Sequence, residues 1–129
     1  MTDIILKHGN HRARADGMCA MEYAAYLAGE PHSDAPSCVS PLIRKFMVSW
    51  NDALPDDETR TRLLSPLIPQ TLNTVSSQVV EEARAWMCTD WMLREYVPAW
   101  LELTGIAKEA KELRDMPQVM STTIAAARI

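Results

Sequence analysis

Residues 16–41, DGMCAMEYAAYLAGEPHSDAPSCVSP, decide the fold: a proline-free apolar run, then an irregular stretch with three prolines that ends on a Ser-Pro step. Asp16 can accept from the free N–H groups of a first turn and Gly29 suits the left-handed position that ends a helix. The run therefore predicts a helix over about 17–28. Its residues are apolar nearly all the way round, with Glu22 the only charge before Glu30, as in a central helix enclosed by neighbours. EPHSDAPSCVSP has no periodicity and reads as a loop. Ser40 before Pro41 is a cap followed by proline at the first helical position, which starts a second helix running to about Leu54. On that helix Leu42, Ile43, Phe46, Met47, Trp50, Ala53 and Leu54 share one side, and Arg44, Lys45, Ser49, Asn51 and Asp52 the other.

The same punctuation continues downstream. Pro55, Asp56, Asp57 and Glu58 open a short third helix, acids being favoured at the positive end of the helix dipole. Ser65-Pro66 restarts the chain for one or two turns in PLIPQTLN, limited by Pro69. Residues 77–103 carry the longest helical pattern, interrupted only at Pro98, which is expected to bend or split it. Gly105 ends it, IAKEAKELRDM repeats an amphipathic turn, and Pro117 is expected to begin a final helix toward the terminus. No sustained period-two alternation is present. The expected fold is all-α: a single-domain irregular bundle of five or six helices with a buried central first helix, residues 1–15 forming a polar arm and 16–129 one helical domain. Phe46, Trp50, Trp86, Trp91 and the methionines are the expected core.

Composition narrows the function classes. At 129 residues, 47% apolar and 23% charged, the chain is long and apolar enough to enclose a core. A net charge of −4 argues against nucleic-acid binding by general phosphate neutralisation, and the basic stretch from Lys7 to Arg14 lacks interleaved aromatics. No apolar run approaches the roughly 18 residues of a membrane span, and none of signal-peptide length follows the start. The expected location is the cytoplasm, without membrane contact. Cys19, Cys38 and Cys88 are odd in number and not closely paired, which fits reduced thiols.

Reactive side chains concentrate in the opening stretch. Cys19, Glu22, Tyr23 and Tyr26 fall on one stripe of the first helix, and Cys19 in its first turn is where a helix N-terminus favours a thiolate. Cys19, His32 and Cys38 offer ligands for zinc, with Asp34, His8 or His11 as a fourth. The spacing C-x12-H-x5-C lacks the close chelating pair of compact zinc sites. The plainer reading is scaffold: a buried thiol, Glu22 satisfied by an arginine from another helix, and His32 engaged in its loop's own hydrogen bonds. On the long helix Val79, Ala83, Trp86, Asp90, Leu93 and Val97 form an apolar stripe. Arg94, four residues after Asp90, makes with it a structural ion pair in a core-facing row. No phosphate-cradling, nucleophile-elbow or metalloprotease motif is present.

Together with WNDALPDD, LIPQTLNT and EEARAWMCTDWMLREYVPAWLELTGI, the run ADGMCAMEYAAYLAGEPHSDAPSCVSP resembles a family of small uncharacterised proteins of bacterial and bacteriophage genomes, over about residues 8–115. The family pattern has His where this chain has Ala35, so one imidazole that would support a metal site is missing. The resemblance implies a lineage and no mechanism. Two functional expectations follow. The first is a non-catalytic interaction or regulatory protein, without a cofactor, that presents helix faces and the 29–40 loop to a protein partner. The second is a small metal- or thiol-dependent protein using Cys19, Glu22, His32 and Cys38.

Overall fold

The computed structural model describes residues 3–120, which are all-α; among them the only extended pairing is an isolated parallel bridge between Leu6 and Met18. One helical domain is expected from residue 16 onward, whereas the chain divides into two compact units between Ser76 and Ser77, in the polar TVSSQ stretch.

The first unit holds α1 (Ala20–Leu27), α2 (Pro41–Ala53), α3 (Asp57–Leu64) and the single turn α4 (Ile68–Thr71). α2 starts as its Ser-Pro step predicts, with the Ser40 hydroxyl accepting from the Ile43 N–H and Pro41 at the first position. α3 is capped by Asp56, which accepts from the Thr59 N–H at 2.7 Å. α1 begins three residues later than expected. Asp16 sits in a separate 3-10 turn (Arg14–Asp16), Gly17 takes φ +121°, and Met18 pairs with Leu6, so the chain is extended until Cys19.

The expected polar arm is built into this unit. Leu6 is fully buried, its N–H donates to the Thr61 hydroxyl at 2.8 Å, and the Lys7 N–H donates to the Met18 carbonyl at 2.9 Å. An apolar side chain at every core-facing step is not needed to order a terminus when its backbone finds fixed acceptors. Leu6, Met21, Ala24, Met47, Leu64 and Ile68 form the core. Phe46, expected inside, is 57% exposed and packs edge-on against the half-buried Trp50.

The interior position on α2 goes instead to Asn51, which the helical periodicity places on the polar side. It is fully buried: its amide oxygen accepts from the Ala20 N–H at 3.0 Å, and its amide nitrogen donates to the Lys7 carbonyl at 3.0 Å. One side chain thus joins the first strand-like residues, the start of α1 and α2. Buried Arg60 closes the other end of α2, donating to the carbonyls of Asn51 (2.6 Å) and Leu54 (2.9 Å) and pairing with Asp57.

The second unit comprises α5 (Gln78–Trp91), a π-helical turn (Met92–Tyr96), α6 (Val97–Leu103) and α7 (Ala107–Asp115). Ser77 caps α5 by accepting from the Val80 N–H. Pro98 does interrupt the long helix, and the interruption takes a definite form. Proline cannot donate to the carbonyl four residues back and its ring crowds that carbonyl. The chain inserts one extra residue just ahead of it, the Val97 N–H bonding to Met92, five residues earlier. The expected core of this unit is also revised: Trp91 is 53% exposed, Trp86 is half-buried, and the buried residues are Pro98, Ala110, Met116 and Val119. Residues 117–120 are not helical; the rest of the helix expected from Pro117 lies outside the described residues.

Replacing Asn51 with Leu leaves the Ala20 N–H and the Lys7 carbonyl without partners in a dry interior. The expected loss is about 3 kcal/mol, measured as a lower urea midpoint with helix content retained at zero denaturant. An unchanged midpoint would mean that these groups are hydrated and that Asn51 is not the joint described.

Candidate functional site

Glu22 is the centre of a cluster of sequence-predicted site residues that the fold draws together in the first unit. It stands three residues into α1 and is 1% exposed. It completes a capping box with Cys19 as the cap: the Cys19 N–H donates to Glu22 Oε2 at 2.8 Å, and the Glu22 N–H donates to Cys19 Sγ at 3.5 Å. The carboxylate then accepts from His11 twice, from its N–H at 2.6 Å and from ring Nδ1 at 2.8 Å. His32 Nε2 lies 3.6 Å away but donates to the His11 carbonyl at 2.8 Å. The expected arginine partner is therefore replaced by the ring and backbone N–H of His11, from a segment read as a tail, and by the Cys19 N–H at the start of α1.

The electrostatics follow from this geometry. Burial alone would push the Glu22 carboxyl up. The hydrogen bonds from the His11 and Cys19 backbones and the His11 ring outweigh it and hold the carboxyl below the usual carboxylate range. Cys19 moves the other way. Desolvation, with Glu22 close by, pushes its thiol up to about 12, so the helix N-terminus does not make it a thiolate. Burial raises Cys38 as well.

The remaining candidates are dispersed. Cys38 belongs to a loop stitched to its neighbours: Glu30 accepts from the Ser37 N–H (2.7 Å), the Ser37 hydroxyl and the Cys38 N–H (3.2 Å), and the Cys38 carbonyl accepts from the Thr74 and Val75 N–H groups. Asp34 makes no side-chain hydrogen bond among the described residues. No group of three or more His, Cys, Asp or Glu side chains among the described residues is placed to hold a metal ion, so Cys19, His32 and Cys38 are not gathered as a ligand set. Asp90 and Arg94 do pair, at 2.8 Å, and serve the second unit's architecture: Asp90 accepts from the Val119 N–H (2.7 Å) and Arg94 donates to the Met116 carbonyl (3.3 Å).

A second feature was hidden from helical periodicity. Trp91, Tyr96 and Trp100 form a continuous row, with ring centroids 5.4 Å apart for the first pair and 6.3 Å for the second. In an unbroken α-helix residues five apart point about 140° away from each other. The extra residue of the π turn brings Trp91 and Tyr96 onto one side, and Trp100 follows four residues later. All three stand open to solvent. The signal was Pro98 within a long helical pattern, but the phase shift it induces is not a property of the pattern itself.

Comparison with protein-family models, curated proteins and solved structures finds no match for this chain. No described helix is long and apolar enough to cross a membrane.

Two measurements check the site. Iodoacetamide at pH 8 is expected to modify exposed Cys88 first and Cys19 last in the folded protein, the order disappearing in urea; early alkylation of Cys19 would contradict a buried, protonated thiol. Glu22→Gln places an amide donor against N–H donors and is expected to lower stability by about 3 kcal/mol at neutral pH. Because the native carboxyl is held low, its contribution is complete above the ordinary carboxylate range and fades as pH falls through the native value. The gap between wild type and variant should accordingly narrow in acid; a constant gap from neutrality to strong acid would exclude the ionised carboxylate as its source.

Proposed function

We propose that this is a non-catalytic cytoplasmic interaction or regulatory protein, of phage or prophage lineage, that binds a protein partner through the second unit. The Trp91–Tyr96–Trp100 row carries the reading. Single exposed apolar residues are ordinary, but three aromatic rings in mutual contact, aligned by a π turn and half open to solvent, form a patch of the composition enriched at binding hot spots. Arg114, paired with Glu95 (3.1 Å) and Glu102 (2.9 Å) on the same segments, adds the polar component of an interface rim. The matching occupant is an apolar helix face of the partner, laid along the ring row. The lineage rests on the resemblance over residues 8–115.

The metal- or thiol-dependent alternative draws no comparable support. Burial holds Cys19 protonated, and although Glu22 bonds to Cys19 and lies 3.6 Å from His32, no three His, Cys, Asp or Glu side chains among the described residues are placed to hold a metal ion.

Tagged protein presented to a lysate of its native host is expected to retain a discrete partner. The Trp91→Ala/Trp100→Ala double variant should fold normally yet bind the purified partner at least about tenfold more weakly. Phe46→Ala, an exposed aromatic of the first unit, should bind as wild type. Equal binding by the double variant, or loss with Phe46→Ala alone, rejects this surface.

A further inference from the structure

The His11–Glu22 pair has a chemical property that a purely structural capping box does not need. An ionised carboxylate only accepts, so the His11 nitrogen 2.8 Å from Glu22 must carry a proton. Whenever the ring is neutral, its lone pair is therefore on Nε2. That atom makes no hydrogen bond among the described residues, and it is not one of the fully buried polar atoms. The ring is otherwise well enclosed, with 14% of the side chain exposed. One nitrogen is thus locked onto a buried anion and the other presented outward from a fixed ring.

The approach to Nε2 is lined in a particular way. Gly17, at φ +121°, lets the backbone pass close to the ring: a Cβ built there would stand 3.4 Å from His11 Nε2 and only 2.7 Å from Cδ of Lys7, so the Lys7 stem and the imidazole edge both pack against Gly17. Lys7 Nζ lies 3.7 Å from Asp57, a half-exposed pair that leaves the ammonium accessible. From residue 7 to residue 14 the chain carries Lys7, His8, Arg12 and Arg14 and no acid. The groups facing His11 are Glu22 behind the ring, His32 on its carbonyl, and the Lys7 stem beside it. Negative charge lies behind the ring on Glu22, and the Lys7 stem beside the ring ends in an ammonium paired with Asp57.

We propose that His11 is a covalent modification site whose Nε2 accepts a phosphoryl group from a small acyl phosphate. The Nε2 lone pair attacks phosphorus, an N–P bond forms, and the P–O bond to the acyl group breaks, the carboxylate leaving with the electron pair. No proton is gained or lost. The ring becomes cationic as the bond forms, and the Nδ1 proton stays between the ring and Glu22, whose charge stabilises the imidazolium. The incoming group is dianionic and meets the basic side of the segment. His32 has no equivalent capacity, because its Nε2 is bound to the His11 carbonyl and its Nδ1 is buried. His8 is exposed but has no carboxylate hydrogen bond, and serves as an internal standard.

The test is phosphorylation of the wild-type chain by acetyl phosphate, with sites mapped by mass spectrometry at alkaline pH and the isomer assigned by phosphorus NMR. His11 is expected to be modified on Nε2 at least about tenfold faster than His8. Unfolding in urea should bring the two rates together, and Glu22→Gln should slow His11 without changing His8. Equal rates at His8 and His11 in the folded chain, modification of His11 on Nδ1, or no phosphohistidine at all would each overturn the proposal. The comparison within one folded wild-type molecule stands even where Glu22→Gln does not fold.

Discussion

The first unit depends on a carboxylate that has no water to rely on. Removing an ion of that size from solvent costs several kcal/mol unless donors replace its hydration. Glu22 recovers the loss through two backbone N–H groups and one imidazole, and each of those donors belongs to something that must be placed. The Cys19 N–H sets where α1 begins. The two His11 donors pull residues 4–11 down onto the helix. The N-terminal segment is tied to α1 by one charge in an apolar environment, in addition to buried Leu6 and the Thr61 and Met18 contacts. Asn51 serves the same segment from the opposite side, through the Lys7 carbonyl and the Ala20 N–H.

The second unit is governed by a different constraint, the missing donor of Pro98. A helix meeting proline can kink or lose hydrogen bonds to water. Here it widens by one residue, and the ladder resumes at once in α6. The consequence is rotational: side chains on the two sides of the turn meet in a phase that no continuous α-helix provides. The aromatic row therefore follows directly from accommodating one proline, and interior burial is correspondingly small, because large side chains at 91, 96 and 100 are turned outward.

Helix identity and most starts were legible because they rest on local chemistry: Ser40 caps ahead of Pro41 as the Ser-Pro step predicts, the acids after Pro55 fall at the start of α3, and Gly29 follows α1 at φ +73°. Of the candidates in the opening stretch, Glu22 bonds to Cys19 and approaches His32. What was not legible is non-local. Periodicity assigned Asn51 to the surface because it is polar, although a buried amide is stable wherever its donors and acceptors are matched. Phe46 and Trp91 were expected in the interior because they are large, although size decides only when the backbone phase points inward. His11 is only one of three interchangeable fourth ligands in the sequence; only the need of Glu22 for a donor could have marked it as the partner of that carboxylate.

The thiol shows why proximity and reactivity must be kept separate. Cys19 occupies the position from which helix N-termini commonly activate cysteine, yet its sulfur accepts a long 3.5 Å contact from the Glu22 N–H while the Glu22 carboxylate sits beside it in the same dry pocket. A second anion there would face the first across a few ångströms of low-dielectric interior, where unlike-charge attraction and like-charge repulsion are both amplified. The pocket can hold one negative charge. Hydrogen bonds assign it to the carboxylate, which leaves the thiol neutral and makes the imidazole, not the sulfur, the group whose reactive atom the site orients toward solvent.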